Sequence, residues 1–129
     1  MKYLRVYADD EGNSHFEDGE FETNPVDLVE GFPPASFTGA IPVSEVQMFR
    51  LEPGDWIDDW HPAPRRQIAI ILSGGIEMES SDGKVRRLLA GDILLAEDTH
   101  GEGHRNRSID GQKLVVAWMP LVEDRGESS

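Results

Sequence analysis

The chain has 129 residues, enough for one domain with a proper core, and carries a formal charge of −13 at pH 7. That charge sets it against phosphate backbones and anionic lipid, so neither nucleic acid nor a membrane is an expected partner. There is no cysteine, which excludes disulfides, thiolate nucleophiles and zinc–cysteine sites. The opening residues turn acidic too soon for a secretory signal and no apolar run reaches membrane-spanning length, so a cytoplasmic protein is expected.

Thirteen glycines and eight prolines, set among short apolar runs without a sustained 3.6-residue period, point to an all-β chain. Residues 3–7 read as a strand with Leu4 and Val6 on one face, and residues 14–21 as a second strand after the turn at 11–13. The stretch 23–42 carries four prolines (Pro25, Pro33, Pro34, Pro42), which remove ladder donors and fix φ. It is expected to be an ordered arm that wraps over a sheet edge. Residues 43–51 alternate as a strand, and the turn at 53–60 follows, rich in aspartate and tryptophan. Asp55, Asp58 and Asp59 match no calcium-loop spacing and read as solvated surface. Trp56 and Trp60 read as packing residues at a pocket mouth.

The stretch 61–75, HPAPRRQIAIILSGG, begins polar, becomes continuously apolar over 68–72 and breaks at Gly74-Gly75. Alternate residues of an extended chain share a face. His61, Ala63, Arg65 and Gln67 should therefore align with Ala69 and Ile71, while Ile68, Ile70 and Leu72 point the other way. Strands are expected at 76–79 and 85–89, joined by a hairpin at Asp82-Gly83, where glycine supplies the positive φ of such turns. After the tight turn at Ala90-Gly91-Asp92 come strands at 93–96, 104–108 and 114–119, with a hairpin at Asp110-Gly111 between the last two and a frayed tail after 123. Short strands and glycine turns at this spacing indicate a closed barrel or jelly roll.

Two segments carry a resemblance: W-H-P-A-P-R-R-Q at 60–67 and G-D-I-L-L-A-E-D-T at 91–99. They are similar to the paired motifs of the cupin superfamily, most of all its compact single-domain bacterial members. The first cupin motif, G-x5-H-x-H-x3/4-E-x6-G, places His61 in its first histidine slot, Ala63 in the second, Gln67 in the glutamate slot and Gly74 on the closing glycine; Gly54 falls one residue early. The second, G-x5-P-x-G-x2-H-x3-N, starts at Gly91, with Glu97 and Thr99 replacing its proline and glycine. Without a gap, Glu102 takes the histidine slot and Asn106 the asparagine slot. With a loop two residues longer, Gly101 and His104 take the glycine and histidine slots, and this alignment is preferred because G-E-G-H keeps the G-x-x-H turn.

The resemblance implies a cupin-type double-stranded β-helix, or jelly-roll barrel, in a single domain over 1–129. The barrel would span about 43–119, preceded by N-terminal strands and the Pro-rich arm (1–42) and followed by a short tail (120–129). It also implies a homodimer with the N-terminal strands as interface edges, and a pocket for a small organic, carboxylated molecule. His61, Gln67 and His104 would hold one divalent transition metal (Mn, Fe, Ni, Cu or Zn), with His100 or Glu102 as further donors from the 97–103 loop. Isomerisation, cyclisation or a dioxygen reaction would suit such a centre, with His61, His104 and Glu97 as candidates for proton transfer. The alternative is a metal-free binding or sensory protein in which the imidazoles only hydrogen-bond.

Arg65, Gln67 and Trp60 are the substrate-binding candidates, Arg65 as a bidentate clamp on a carboxylate. Against that, one of Arg65 and Arg66 could pair with Glu97 or Asp98 while the other faces water. Glu97 and Asp98 should point to opposite faces if extended, so at most one reaches the pocket. His15 lies far from both motifs and reads as an exposed histidine.

Overall fold

A computed structural model describes residues 1–53 and 59–123. Among them the chain is all-β, with eleven strands. Asp55, Trp56 and Asp58 lie outside the described residues. The strands are β1 (Lys2–Ala8), β2 (Ser14–Glu20), β3 (Thr23–Val26), β4 (Ala35–Thr38), β5 (Gln47–Leu51), β6 (Gln67–Ser73), β7 (Gly75–Ser80), β8 (Val85–Leu89), β9 (Ile93–Glu97), β10 (His104–Ser108) and β11 (Leu114–Pro120). They form a six-stranded sheet in the order β2-β1-β9-β6-β11-β5, a three-stranded sheet β10-β7-β8, and a separate pair β3-β4. No helix among the described residues is long and apolar enough to cross a membrane.

From β6 onward the chain shuttles between the two larger sheets. It crosses after β6, returns after β8, crosses again after β9 and returns after β10. This winding is of jelly-roll type. It places alternate inward residues of both sheets in one core: Leu4, Val6, Ala69, Ile71, Leu94, Ala96, Leu114 and Val116 from the larger, and Ile76, Met78 and Leu88 from the smaller. The first crossing turns on Gly74, at φ +78°; a Cβ there would lie 2.2 Å from the Lys113 carbonyl oxygen, so only glycine lets the two connections touch.

Several expectations need revising. The stretch 61–75 is not one extended strand. β6 starts only at Gln67, because Pro62 and Pro64 lack ladder donors and the backbone bends at Pro64-Arg65. Its inner face then runs Gln67, Ala69, Ile71, whereas Leu72 is 49% exposed, so the strand is not buried on both faces along its length. The strand expected over 43–51 shrinks to β5, and Val43 makes only an isolated bridge to Leu121. Asp110-Gly111 is a turn with both φ values positive, yet it joins strands of different sheets, so it is a crossing and not a hairpin. The Pro-rich arm forms its own ladder, β3 on β4, and its strands join neither larger sheet. The N-terminal strands belong to the main sheet: β1 inserts beside β9 in parallel pairing, Leu4 opposite Leu94, and β2 is an edge.

Candidate functional site

A cavity of about 380 Å³ lies between the two larger sheets. That size suits a small organic molecule. Strand register orders its walls by depth. At one end stand His61, Ala63, Gln67, Ala96 and His104; one step in come Ala69, Leu94, Trp118, Met78 and Asn106; beyond them Ile71, Val116, Leu51, Leu114 and Ile76 close the apolar end. The polar groups thus gather at one end of a mostly apolar chamber.

Two backbone devices bring the imidazoles together. His61 and His104 form an isolated antiparallel bridge, each N–H donating to the other's carbonyl at 3.0 Å. Gly103, at φ +73°, makes that approach feasible, since a Cβ there would lie 2.1 Å from the His61 carbonyl oxygen. Ser14, fully buried on β2, steadies the same turn, its hydroxyl donating to the Gly103 carbonyl at 2.6 Å. The ring centroids of His61 and His104 end 4.7 Å apart, tilted by 60°.

Each ring is oriented by its Nδ1. His61 Nδ1–H donates to the Asp59 carbonyl at 2.9 Å, and His104 Nδ1–H donates to Asp98 Oδ2 at 2.5 Å. Neither Nε2 atom has a hydrogen-bond partner among the described residues. Asp98 is fully buried and its backbone carbonyl accepts from Ala63 N–H, which ties the dyad to the first motif segment. Three buried oxygens have no hydrogen-bond partner: Gln67 Oε1, Asn106 Oδ1 and Asp98 Oδ1. Unsatisfied buried acceptors are uncommon in folded proteins, and two of these belong to residues on the cavity wall.

Of the residues singled out in the sequence, His61, Gln67 and His104 come together here. His100 and Glu102 do not line the cavity; Glu102 borders a shallow groove with Trp60. Trp60 is 37% exposed and packs under the Arg105 guanidinium, 5.0 Å from its ring centroid. Arg65 is exposed and pairs with Glu45 at 2.8 Å, because the bend at Pro64 takes it off the inner face. Glu97 points away from the cavity and receives Arg5 at 2.5 Å and Arg66 at 2.6 Å. Burial alone would raise the Glu97 pKa, but hydrogen bonds from Arg5 and Arg66 outweigh it and hold the carboxyl below its usual range. Glu97 is therefore a structural anion.

Asp98 and Asn106 are the residues that sequence reasoning undervalued. Extending the alternation of β9 through Leu94 and Ala96 would have turned Asp98 inward, and the two-residue step from His104 would have placed Asn106 on the same face. No family model matches the chain, and no curated protein matches its sequence.

The donor set was tested against the divalent metal that the resemblance implies. Two imidazoles, two neutral carboxamides and Asp59 line the cavity, Ala63 fills the slot of the second histidine, and the Asp98 carboxylate behind His104 is engaged by its Nδ1. Among the described residues no group of three or more His, Cys, Asp or Glu side chains could hold an ion. This set does not fit a tight transition-metal site.

Proposed function

We propose that this chain is a small-molecule-binding protein of cupin type that works without a resident metal. Its ligand is amphipathic, with an apolar body on the inner walls and a polar head against His61, His104, Gln67 and Asn106. The observation that carries this reading is the convergence of two oriented imidazoles at one end of an otherwise apolar cavity. The Asp98–His104 pair also gives the site a group that can take a proton from a bound donor at Nε2, with Asp98 stabilising the resulting imidazolium.

Titration of the full chain with ethylbenzene, followed through the Met78 methyl and Trp118 indole NMR signals, tests the cavity. Saturable shifts at both are expected; shifts confined to surface aromatics such as Phe32 and Phe37 would reject it. Metal analysis of protein purified without a histidine tag tests the rest. Substoichiometric metal, removed by chelator with no change in melting temperature, is expected, and a stoichiometric chelator-resistant ion would overturn the metal-free reading.

A further inference from the structure

The six-stranded sheet is apolar on both faces. Residues that alternate with the cavity wall point outward. Strand register lines them up in two rows across β5, β11, β6 and β9: Met48–Ala117–Ile70–Ile93 and Met119–Ile68–Leu95. A sheet face left to water is ordinarily polar. Here Met48 is 67% exposed, and Ile70, Ile93, Leu95 and Met119 are half-buried.

The Pro-rich arm shows the complementary deficit. Its ladder of β3 on β4 joins neither larger sheet, and a two-stranded hairpin alone is marginal in water. Yet Val26, Leu28, Val29, Phe32, Phe37 and Ile41 are each between 37% and 69% exposed. Its roots are held to the body, with Phe21 N–H donating to the Met1 carbonyl at 2.8 Å and Val122 N–H to the Pro42 carbonyl at 3.1 Å. Between them lie six apolar side chains that a single copy leaves in water, and exposed apolar surface of this extent marks an interaction site.

Charge and area point to the same occupant. Residues 22–42 carry Glu22, Asp27 and Glu30 and no lysine or arginine. Arg50 stands on the outer face of β5 opposite Val115, in a surface pair with Glu52 that exchanges partners at little cost. Two rows across four strands cover roughly 300 Å². A stable interface takes about 800 Å² from each partner, so the face alone falls short and the arm must supply the rest.

We infer that two copies of this chain exchange arms: the β3–β4 arm of each lies over the outer face of the other's main sheet. Every copy carries one arm and one face, so the exchange closes at two about a two-fold axis. The interface is then the sheet face and the arm, not the N-terminal strand edges that the family resemblance implies.

Sedimentation equilibrium of the full chain tests this and should give twice the 14.4 kDa of one copy. Phe32→Asp in the arm and Met48→Asp on the face replace side chains that a single copy exposes, so both variants should keep the wild-type circular dichroism spectrum. Each should weaken association about tenfold or more, the worth of one buried apolar side chain. Because the chain has no cysteine, Ser36→Cys gives a unique spin-label position on the arm. Spin-labelled copies mixed with ¹⁵N-labelled unmodified copies should broaden the Met48 and Ile70 amide signals of the latter. A monomer at the concentration of an NMR sample, a dimer indifferent to either substitution, or no broadening between copies would overturn the inference.

Discussion

Replacing Gln67 by methionine separates a side chain that serves the ligand from one that serves the fold. Gln67 opens β6, is 5% exposed, and its Oε1 has no hydrogen-bond partner. A buried acceptor left unpaired costs about 1–3 kcal/mol, and methionine fills similar space with no polar atom to satisfy. Gln67→Met should therefore stabilise the ligand-free protein by about 1–3 kcal/mol. In a chain of this size each kcal/mol moves the thermal midpoint upward by roughly 3–5 °C. Urea unfolding reads the change as a higher midpoint at constant slope. The same variant should bind a polar-headed ligand such as 4-ethylphenol more weakly and ethylbenzene unchanged, because the carboxamide, donor and acceptor together, has gone while the volume is kept. Gain in stability with loss of head-group recognition is the trade expected of a functional side chain. A variant less stable than wild type by about 1 kcal/mol or more would mean that Oε1 is satisfied in solution, and the reasoning from unpaired acceptors would fail.

Gly103→Ala should be severely destabilising. The left-handed conformation alone costs about 1–2 kcal/mol, and the added Cβ would sit 2.1 Å from the His61 carbonyl oxygen, forcing the bridge apart. Unchanged melting and unchanged ligand binding would contradict the close approach of the two segments. His15 is held between Asp9 Oδ2 at 2.7 Å and Asp82 Oδ2 at 3.0 Å, which joins the β1–β2 turn to the β7–β8 turn. The hydrogen bond to Asp9, opposed by burial and helped by Asp82, raises its pKa above the ordinary histidine value. Its contribution to stability is thus complete below the unfolded-state pKa and disappears as pH rises through the higher folded-state value. His15→Gln should flatten that part of the stability–pH curve above neutrality; identical curves for variant and wild type would dismiss the staple.

Much of the fold was legible because local chemistry marks it. Asp82-Gly83 announced the β7–β8 hairpin, and the apolar runs around Gly91 and Leu114 marked the inner strands. His61 and His104 were recognisable from motif spacing, although their meeting depends on Gly103, whose role appears only when the His61 backbone is beside it. Long-range pairing was less accessible. The parallel insertion of β1 beside β9 brings Arg5 to Glu97 across 92 residues, and no local pattern signals such a contact. Arg65 was misplaced on the inner face because strict alternation was carried through Pro62 and Pro64, where the backbone bends. Asp98 was within reach of the same rule applied forward from Leu94, but its adjacency to Glu97 left two faces to choose between.

The central claim is that two imidazoles share one small-molecule site. Long-range ¹H–¹⁵N correlation spectra of the histidine rings, recorded while 4-ethylphenol is added, test it most directly. The Nε2 signals of His61 and His104 should move with one saturation curve while those of His15 and His100 stay still. Binding that shifts His100 or His15, or leaves either of the two central rings unmoved, would contradict the account.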